Sequence, residues 1–201
     1  MKQQKIVIVD SGVANLASVV AALERLNVKA EVTDNAEKIK AATHVILPGV
    51  GSAVAAMAQL NAKKLVDVLR SLTQPVLGIC LGMQLFFTHS DEGGGQDCLG
   101  IIRGNVKQLW AKQDMPVPHM GWNKIDIKNS DHPLLRGIED GSFVYFVHSY
   151  AAPLGDYSLA SCDYSESFAA IAEYKNFFGC QFHPERSGIV GQQILRNFLE
   201  M

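Results

Sequence analysis

The sequence predicts an α/β fold: a doubly wound, mostly parallel sheet with flanking helices, followed by an additional antiparallel strand region in the second half. Apolar runs and helical periodicities alternate through the first half of the chain, which is typical of a parallel sheet. The run Ile6-Val7-Ile8-Val9 is continuously apolar, as expected of a strand covered on both faces. From Asp91 onward, short apolar runs between turns replace this alternation and favour antiparallel strands.

The elements of the first half follow from residue spacing. Asn15–Leu26 carries apolar residues at helical intervals, and Asn27 is suited to end that helix. Ser52–Leu72 is similar but is interrupted near Asn61, so two helices are expected there. The predicted strands are Lys5–Asp10, Lys29–Thr33, His44–Leu47 and Pro75–Leu77, and a further amphipathic helix is predicted over Leu81–His89.

The second half begins with a loop at Gly93–Gly95 and ends with an amphipathic helix over Ser187–Leu199. Between them, the predicted strands are Asn105–Trp110, Lys124–Ile127, Phe143–Val147, Ser158–Cys162, Phe168–Glu173 and Phe178–Phe182. No repeat, low-complexity segment or linker interrupts the sequence, so residues 1–201 are expected to form a single domain.

Composition argues against several classes of protein. A formal net charge of −2 gives no reason to expect nucleic acid as a partner, and no apolar run approaches the ~20 residues of a membrane helix. The four cysteines form no C-x-x-C pair, which argues against zinc and against a disulfide framework. The first residues lead into a strand rather than a signal-peptide apolar region. A cytoplasmic protein without metal or cofactor is expected.

The most informative motif is Gly78-Ile79-Cys80-Leu81-Gly82, which directly follows a predicted strand and opens a predicted helix. Cys80 would lie on the sharp turn between them, the geometry of a nucleophile elbow that carries a thiol. Gly78 and Gly82 are expected to let the backbone take the strained turn and to let strand and helix pack closely. Free cysteine is more often a small core residue, so on this motif alone both interpretations stay open.

The segment Phe182-His183-Pro184-Glu185 supplies the groups that a catalytic cysteine needs. Such a cysteine requires a base within hydrogen-bond reach and a third group that orients the base. His183 and Glu185 are separated by one residue at a predicted strand end, so both side chains can project from the same side, and Pro184 stops the strand. His183 alone could be a solvated strand-end residue, but the two motifs together predict a Cys–His–Glu triad. The remaining histidines without a motif, His44, His89 and His132, are expected at the surface or in loops.

A glycine-rich loop, Pro48–Gly51, follows the third predicted strand. It lacks the Lys-Ser/Thr of a P-loop and the three-glycine dinucleotide spacing, so it gives little support to a phosphate site. Its two glycines would let a backbone amide turn toward the site, and such amides are the usual donors to the oxyanion of acyl transfer. This loop, Cys80 and Asp10–Asn15 all follow strand ends, which meet at one edge of a parallel sheet. One site is therefore expected there.

These motifs resemble those of the triad-type, class I glutamine amidotransferases, in which a Gly-x-Cys-x-Gly-x-Gln elbow and a His-Pro-Glu triplet supply Cys, His and Glu. The resemblance runs from Lys5 to the C-terminus. Within the family, the chain is similar to the glutaminase subunits of imidazole glycerol phosphate synthase, on the segments Asp10–Leu16, Leu47–Gly51, Pro118–Asn123 and Tyr145–Tyr150. This resemblance implies a flavodoxin-like fold and the hydrolysis of L-glutamine to glutamate and ammonia through a Cys thioester.

The resemblance also implies roles for individual residues. Cys80 would be the nucleophile, His183 the acid and base, and Glu185 the group that orients His183. The backbone amides of the oxyanion hole would come from Gly49 or Val50 and from Leu81. The substrate would be held by Gly51, Gln84, Ser149 and Tyr150, and the alternative for Gln84 is an ordinary exposed polar residue of the helix. The partner would face Asn15, Tyr145 and Arg186. His119, Trp122 and His148 are expected near the site or the partner interface without a chemical role.

By resemblance, ammonia passes to a separate cyclase subunit, which is a (β/α)8 barrel, within a heterodimer. The cyclase makes imidazole glycerol phosphate and aminoimidazole carboxamide ribotide in histidine biosynthesis. A barrel of ~250 residues cannot fit within 201 residues. Two alternatives stay open at this point. The chain could be the glutaminase subunit of a different synthase, or a non-catalytic flavodoxin-like binding module, in which Cys80, His183 and Glu185 would lie apart.

Overall fold

The structure, a computed structural model, describes residues 4–12 and 15–201. Met1–Gln3, Val13 and Ala14 lie outside the described residues, and with them the start of the N-terminal segment and part of Asp10–Leu16. The strands are β1 Ile6–Val9, β2 Ala30–Thr33, β3 His44–Gly49, β4 Val76–Cys80, β5 Phe87–Ser90, β6 Gln96–Asp97, β7 Ile102–Gln108, β8 His119–Lys124, β9 Asp126–Ile127, β10 Phe143–His148, β11 Tyr150–Ala151, β12 Ser158–Asp163, β13 Ser167–Tyr174 and β14 Phe177–Cys180. The α-helices are α1 Leu16–Arg25, α2 Ala36–Lys40, α3 Ala53–Ala62, α4 Val66–Arg70, α5 Leu81–Gln84 and α6 Gly188–Leu199.

An eight-stranded sheet in the order β2-β1-β3-β4-β14-β13-β12-β9 organises the fold. Its first five strands run parallel and the last three are antiparallel. Two smaller sheets lie beside it, one with the order β10-β8 and one with the order β11-β7-β5-β6. The placement of β14 next to β4 brings the C-terminal part of the chain against the strand that ends in Cys80.

The central strands are buried on both faces. In β1, Ile6 and Ile8 belong to a core that includes residues of α1 and α6, whereas Val7 and Val9 belong to a second core with residues of α3 and α4. Such a strand has no solvent face, which explains why its sequence is continuously apolar. The prediction of a doubly wound α/β sheet with an antiparallel region in the second half is confirmed. Among the described helices, none combines the length and apolar character needed to cross a membrane.

Two predicted elements are wrong. The helix expected over Leu81–His89 is a single turn, Leu81–Gln84, and the chain continues as strand β5, which pairs with β7. The aromatic and β-branched residues of Phe86-Phe87-Thr88 favour a strand once a partner strand is present. The strand expected over Lys124–Ile127 is replaced by β8 and the short β9. Strand β8 escapes sequence analysis because its large residues Met120 and Trp122 are exposed.

The expected surface position of His44 is also wrong. His44 is buried in β3, and its ring packs edge-on against Phe198. His132 does lie in a loop, directly before the 3₁₀ turn Pro133–Leu135, but it is largely buried there: its Nδ1 accepts from the amide of Leu134, and its Nε2 lies 3.2 Å from Glu173 Oε1. Burial of a histidine is decided by which elements pack over it, and a motif search does not show this.

Candidate active site

Cys80 lies at the junction of β4 and α5 with φ +52° and ψ −111°. Such a backbone conformation in a residue other than glycine costs on the order of 1–3 kcal/mol and persists only where the surrounding structure enforces it. The flanking glycines are needed for packing, because it is Cys80 itself that takes the unusual φ. A Cβ on Gly78 would lie 2.7 Å from the Met83 nitrogen, and one on Gly82 would overlap the Leu47 carbonyl oxygen. The elbow therefore depends on close backbone approach at both glycines.

The predicted base and its orienting carboxylate lie beside this elbow. Strand β14 runs parallel to β4 with Cys180 opposite Ile79, so the chain leaves the sheet next to Cys80 and places His183 and Glu185 there. His183 Nδ1 lies 2.8 Å from Glu185 Oε1, and the two side chains are only 8% and 3% exposed. The backbone amide of His183 donates to the Tyr145 carbonyl, and this bond fixes the backbone position from which the imidazole ring projects. The pair is preorganised and shielded from water.

The electrostatics of the pair favour a charged imidazole. Burial alone lowers the pKa of His183, but hydrogen bonding and charge from the Cys80 and Glu185 side chains outweigh it and raise the pKa to about 10. Nε2 of His183 has no hydrogen-bond partner of normal geometry among the described residues. His183 lines the same cavity as Cys80, so this unpaired nitrogen is the one available to exchange a proton with a bound molecule.

A cavity of about 370 Å³ opens in front of Cys80, within the size range of small-molecule sites. The predicted site residues that line it are Asn15, Val50, Gly51, Cys80, Leu81, Gln84, Ser149, Tyr150, His183, Glu185 and Arg186. Two predicted residues do not line it. Gly49 ends β3 opposite Cys80, and a Cβ there would lie 2.9 Å from the Gly82 nitrogen. Tyr145 lies on β10, with the Arg186 guanidinium 5.1 Å from its ring centre.

Three further lining residues, Glu92, Pro118 and Val147, were not predicted from the sequence, and His148, which was expected near the site or the partner interface, lines the cavity as well. Glu92 is the most informative, because it adds a carboxylate to the cavity wall. Its Oε2 accepts from the amide of Ala53 at 2.6 Å, at the start of α3. The only sequence signal was an acidic residue beside the glycine loop, and its proximity to Cys80 depends on how that loop folds back over the sheet edge.

Buried polar side chains form a continuous network next to the cavity. Gln84 is buried, and its Nε2 donates to the Tyr150 carbonyl at 2.7 Å, so Gln84 is not an exposed helix residue. The same carbonyl lies 2.9 Å from His148 Nδ1, and His148 Nε2 lies 3.1 Å from His119 Nδ1. Burial lowers the pKa of His119 to about 4 and that of His148 to about 3. Both rings are therefore neutral at physiological pH and serve to hold the strand that carries Tyr150.

The arrangement brings together a thiol, a histidine and a carboxylate, as nucleophilic catalysis requires. Cys80, His183 and Glu185 would lie apart in a binding module that merely shared the topology, and here they line one cavity. Within the described ranges, no group of three or more His, Cys, Asp or Glu side chains is arranged to hold a metal ion.

Comparisons with known proteins agree with this chemistry. Residues 7–201 match the family described as glutamine amidotransferase class-I. The protein named imidazole glycerol phosphate synthase subunit HisH of Shewanella loihica is 53% identical over 210 residues, covering 100% of this chain and 92% of that protein. The HisH protein of Pectobacterium atrosepticum is 52% identical, covering 98% of this chain and 100% of that protein.

Solved structures share the fold at low sequence identity. A putative GMP synthase component from Thermoplasma acidophilum aligns with a TM-score of 0.73 at 19% identity, covering 100% of this chain and 94% of that one. The structure of PurLQS from Thermotoga maritima aligns with a TM-score of 0.68 at 19% identity, covering 98% of each chain. The family model matches residues 7–201, and the HisH proteins are about half identical to this chain along its length. The cysteine elbow and the His–Glu pair line one cavity. This chain therefore belongs to the class-I glutamine amidotransferase family.

Proposed function

We propose that this protein is the glutaminase subunit of an imidazole glycerol phosphate synthase, which hydrolyses L-glutamine and delivers the ammonia to a cyclase subunit for histidine biosynthesis. The observation that carries the proposal is the shielded 2.8 Å contact between His183 and Glu185 in the same cavity as the Cys80 elbow. The sequence identity of about one half to proteins named as that subunit selects this synthase from among those that use glutamine.

In the first half of the reaction, the Cys80 thiolate attacks the side-chain carboxamide carbon of glutamine. The carbonyl electron pair moves to oxygen and gives a tetrahedral oxyanion. When the oxyanion collapses, the carbon–nitrogen bond breaks, and the proton on His183 Nε2 goes to the departing nitrogen, which leaves as ammonia. Cys80 then holds the glutamyl group as a thioester.

In the second half, His183 takes a proton from a water molecule, which attacks the thioester carbon and releases glutamate. The sulfur leaves as a thiolate next to the imidazolium, so the starting state is restored. Glu185 accepts from Nδ1 throughout, which keeps Nε2 as the nitrogen that transfers protons and stabilises the charged ring.

The oxyanion would be held by the backbone amides of Leu81 and of Val50 or Gly49. Leu81 begins α5, where the first amides have no partner within the helix. Gly49 permits the third strand to approach the elbow closely, since any side chain there would meet Leu81 and Gly82. The next residues, Val50 and Gly51, line the cavity, and Gly51 takes φ +85°. This loop can therefore present an amide opposite Leu81.

The polar groups of glutamine find partners on the cavity wall. We assign its α-ammonium group to Glu92, a carboxylate that keeps one oxygen free of the Ala53 amide. The segment Ser149–Tyr150 would contact the α-carboxylate. The Nε2 group of Gln84 already donates hydrogen bonds within the protein, so its side-chain oxygen Oε1 is the atom that it offers to glutamine. This assignment would select a free amino acid over a peptide, because both α-groups would lie inside the cavity.

The cyclase subunit would cover an exposed surface beside the cavity mouth, formed by Met120, Trp122, Tyr145, Arg186 and Ile189. Trp122 is 55% exposed and Ile189 is 85% exposed, and large apolar groups exposed together are typical of interaction sites. The Trp122 ring lies edge-on to Tyr145, which in turn lies beneath Arg186. Asn15, the third residue expected to face the partner, lines the cavity together with Arg186. A (β/α)8 barrel seated there would receive ammonia directly from the site.

We further propose that residues 1–201 act as one domain in the cytoplasm. The two cores share the strands of a single sheet, so neither half would be stable without the other. All four cysteines are free in the described structure, as is usual in a reducing compartment.

Glutamate production with and without the imidazole glycerol phosphate cyclase tests the proposal. Cys80→Ala should lower turnover by about 10⁶, as removal of a triad nucleophile does, while the variant complex still supports synthesis from added ammonia. Cys98→Ala, which replaces a buried cysteine outside the cavity, is the matched control. The liganded cyclase should accelerate the wild-type chain by about 10²–10³, the effect of one oxyanion donor. Activity retained by Cys80→Ala, or activation by a different synthase instead, would contradict the proposal.

A further inference from the structure

Gln181 is a fully buried polar residue to which the mechanism above gives no task. It follows β14 and precedes His183 by two positions, so it lies at the sheet edge beside the elbow. Its side-chain nitrogen Nε2 is 3.8 Å from Cys80 Sγ. Because sulfur is larger than oxygen, this distance is compatible with an N–H···S hydrogen bond. A buried amide needs partners for its polar atoms, and the nucleophile is one of them.

The orientation of the Gln181 amide follows from the network around it. The Tyr150 carbonyl can only accept, so the Gln84 atom 2.7 Å from it must be the amide nitrogen. That same nitrogen lies 3.0 Å from the Gln181 side chain, which must therefore present its oxygen Oε1 to Gln84. The NH₂ group of Gln181 is then left facing Cys80. One backbone carbonyl thus sets the direction of two successive amides.

Two neighbours of the sulfur favour opposite protonation states. The Val147 carbonyl, 3.8 Å from Sγ, accepts a hydrogen bond from the thiol. The Gln181 NH₂ donates to sulfur, and a thiolate accepts such a bond more strongly than a neutral thiol because charge strengthens hydrogen bonds. The balance between them contributes to whether the resting site is a thiol with neutral histidine or a thiolate with imidazolium.

We propose that Gln181 is a further catalytic residue, whose side-chain amide donates a hydrogen bond to Cys80 Sγ and stabilises the attacking thiolate. Gln84 and the Tyr150 carbonyl act as positioning groups that hold this donor toward the sulfur. The inference rests on the proposed function, in which Cys80 is the nucleophile. It gives Gln84 a second task beyond the contact with substrate, because the same amide that borders the cavity orients Gln181.

Alkylation of Cys80 by iodoacetamide, followed by peptide-resolved mass spectrometry between pH 6 and 9, measures the thiolate without glutamine. Gln181→Met keeps the side-chain length and removes the donor. Alkylation near neutral pH should therefore slow about tenfold, as expected for loss of a hydrogen bond to a charged group. The pH dependence of the alkylation rate should move to higher pH. Glutaminase kcat should fall in parallel while KM for glutamine stays nearly constant. Gln74→Met, which removes an amide bonded to the Ile39 carbonyl away from the cavity, should behave as wild type.

A second variant keeps the inference testable if Gln181→Met does not fold. Gln84→Met leaves Gln181 in place but removes the group that orients it, and alkylation should slow by a smaller factor. Rapid alkylation that is unchanged in a folded Gln181 or Gln84 variant would overturn the inference and leave the proposed function intact. A wild-type Cys80 no more reactive than the buried Cys98, Cys162 and Cys180 would instead refute the proposed function.

Discussion

Replacement of Glu185 by alanine isolates the contribution of the orienting carboxylate. The bond to be removed is the 2.8 Å contact with His183 Nδ1, and both side chains are nearly excluded from water. A hydrogen bond to a charged partner contributes about 1.5–3 kcal/mol, which is a factor of about 10 to 200 at 1.36 kcal/mol per tenfold. We expect kcat for glutamine hydrolysis to fall by that factor. His183→Ala should be far more damaging, about 10⁶, because it removes the proton carrier itself.

The pH profile gives a second measure of the same bond. In the wild-type protein the pKa of His183 is raised to about 10, against the effect of burial. Without Glu185, Cys80 alone counteracts the effect of burial, so the pKa of His183 falls. The imidazolium then loses its proton at a lower pH, and the alkaline limb of the kcat–pH profile moves to lower pH.

Steady-state glutamate production from pH 6 to 10 provides the assay for both measures, with the cyclase present. Glu173→Ala is the matched control, since Glu173 pairs with His132 at 3.2 Å outside the cavity and should leave kcat unchanged. If Glu185→Ala were as inactive as His183→Ala, orientation alone could not be the task of the carboxylate.

Two further predictions concern stability. Gly82→Ala should destabilise the fold by about 1–3 kcal/mol, as overpacking does, because its methyl would overlap the Leu47 carbonyl; a urea unfolding midpoint equal to wild type would show that the elbow is not closely packed. The unfolding free energy should also decrease as the pH falls from 6.5 toward 4. In the native state the pKa values of His119 and His148 lie at about 4 and about 3, so only the unfolded chain takes up protons in this range. Each histidine then contributes a loss of up to about 1.4 kcal/mol per pH unit. Constant stability over this range would contradict the neutral histidine pair.

The sequence determined the chemistry of the triad and the edge of the sheet at which it lies. Cys80 between two glycines and His183-Pro184-Glu185 are local patterns, and each follows a short apolar run whose Pro or Gly boundaries favour a buried strand. Because parallel strands share one carboxyl edge, local patterns sufficed to predict that they meet. The continuous apolar run of β1 likewise predicts a strand buried on both faces, and this prediction does not require knowing which elements pack against the strand.

Only the tertiary structure decided the groups that surround the triad. The end of the predicted helix Leu81–His89 became β5 because β7 was available to pair with it, and an apolar pattern of that length suits either state. Glu92 reached the cavity through the fold of a glycine loop, and Gln181 acquired its orientation from a carbonyl on β11, distant in sequence. Hydrogen-bond direction depends on which acceptor lies within about 3 Å, and that proximity is set by long-range strand pairing, which leaves no local signature in the sequence.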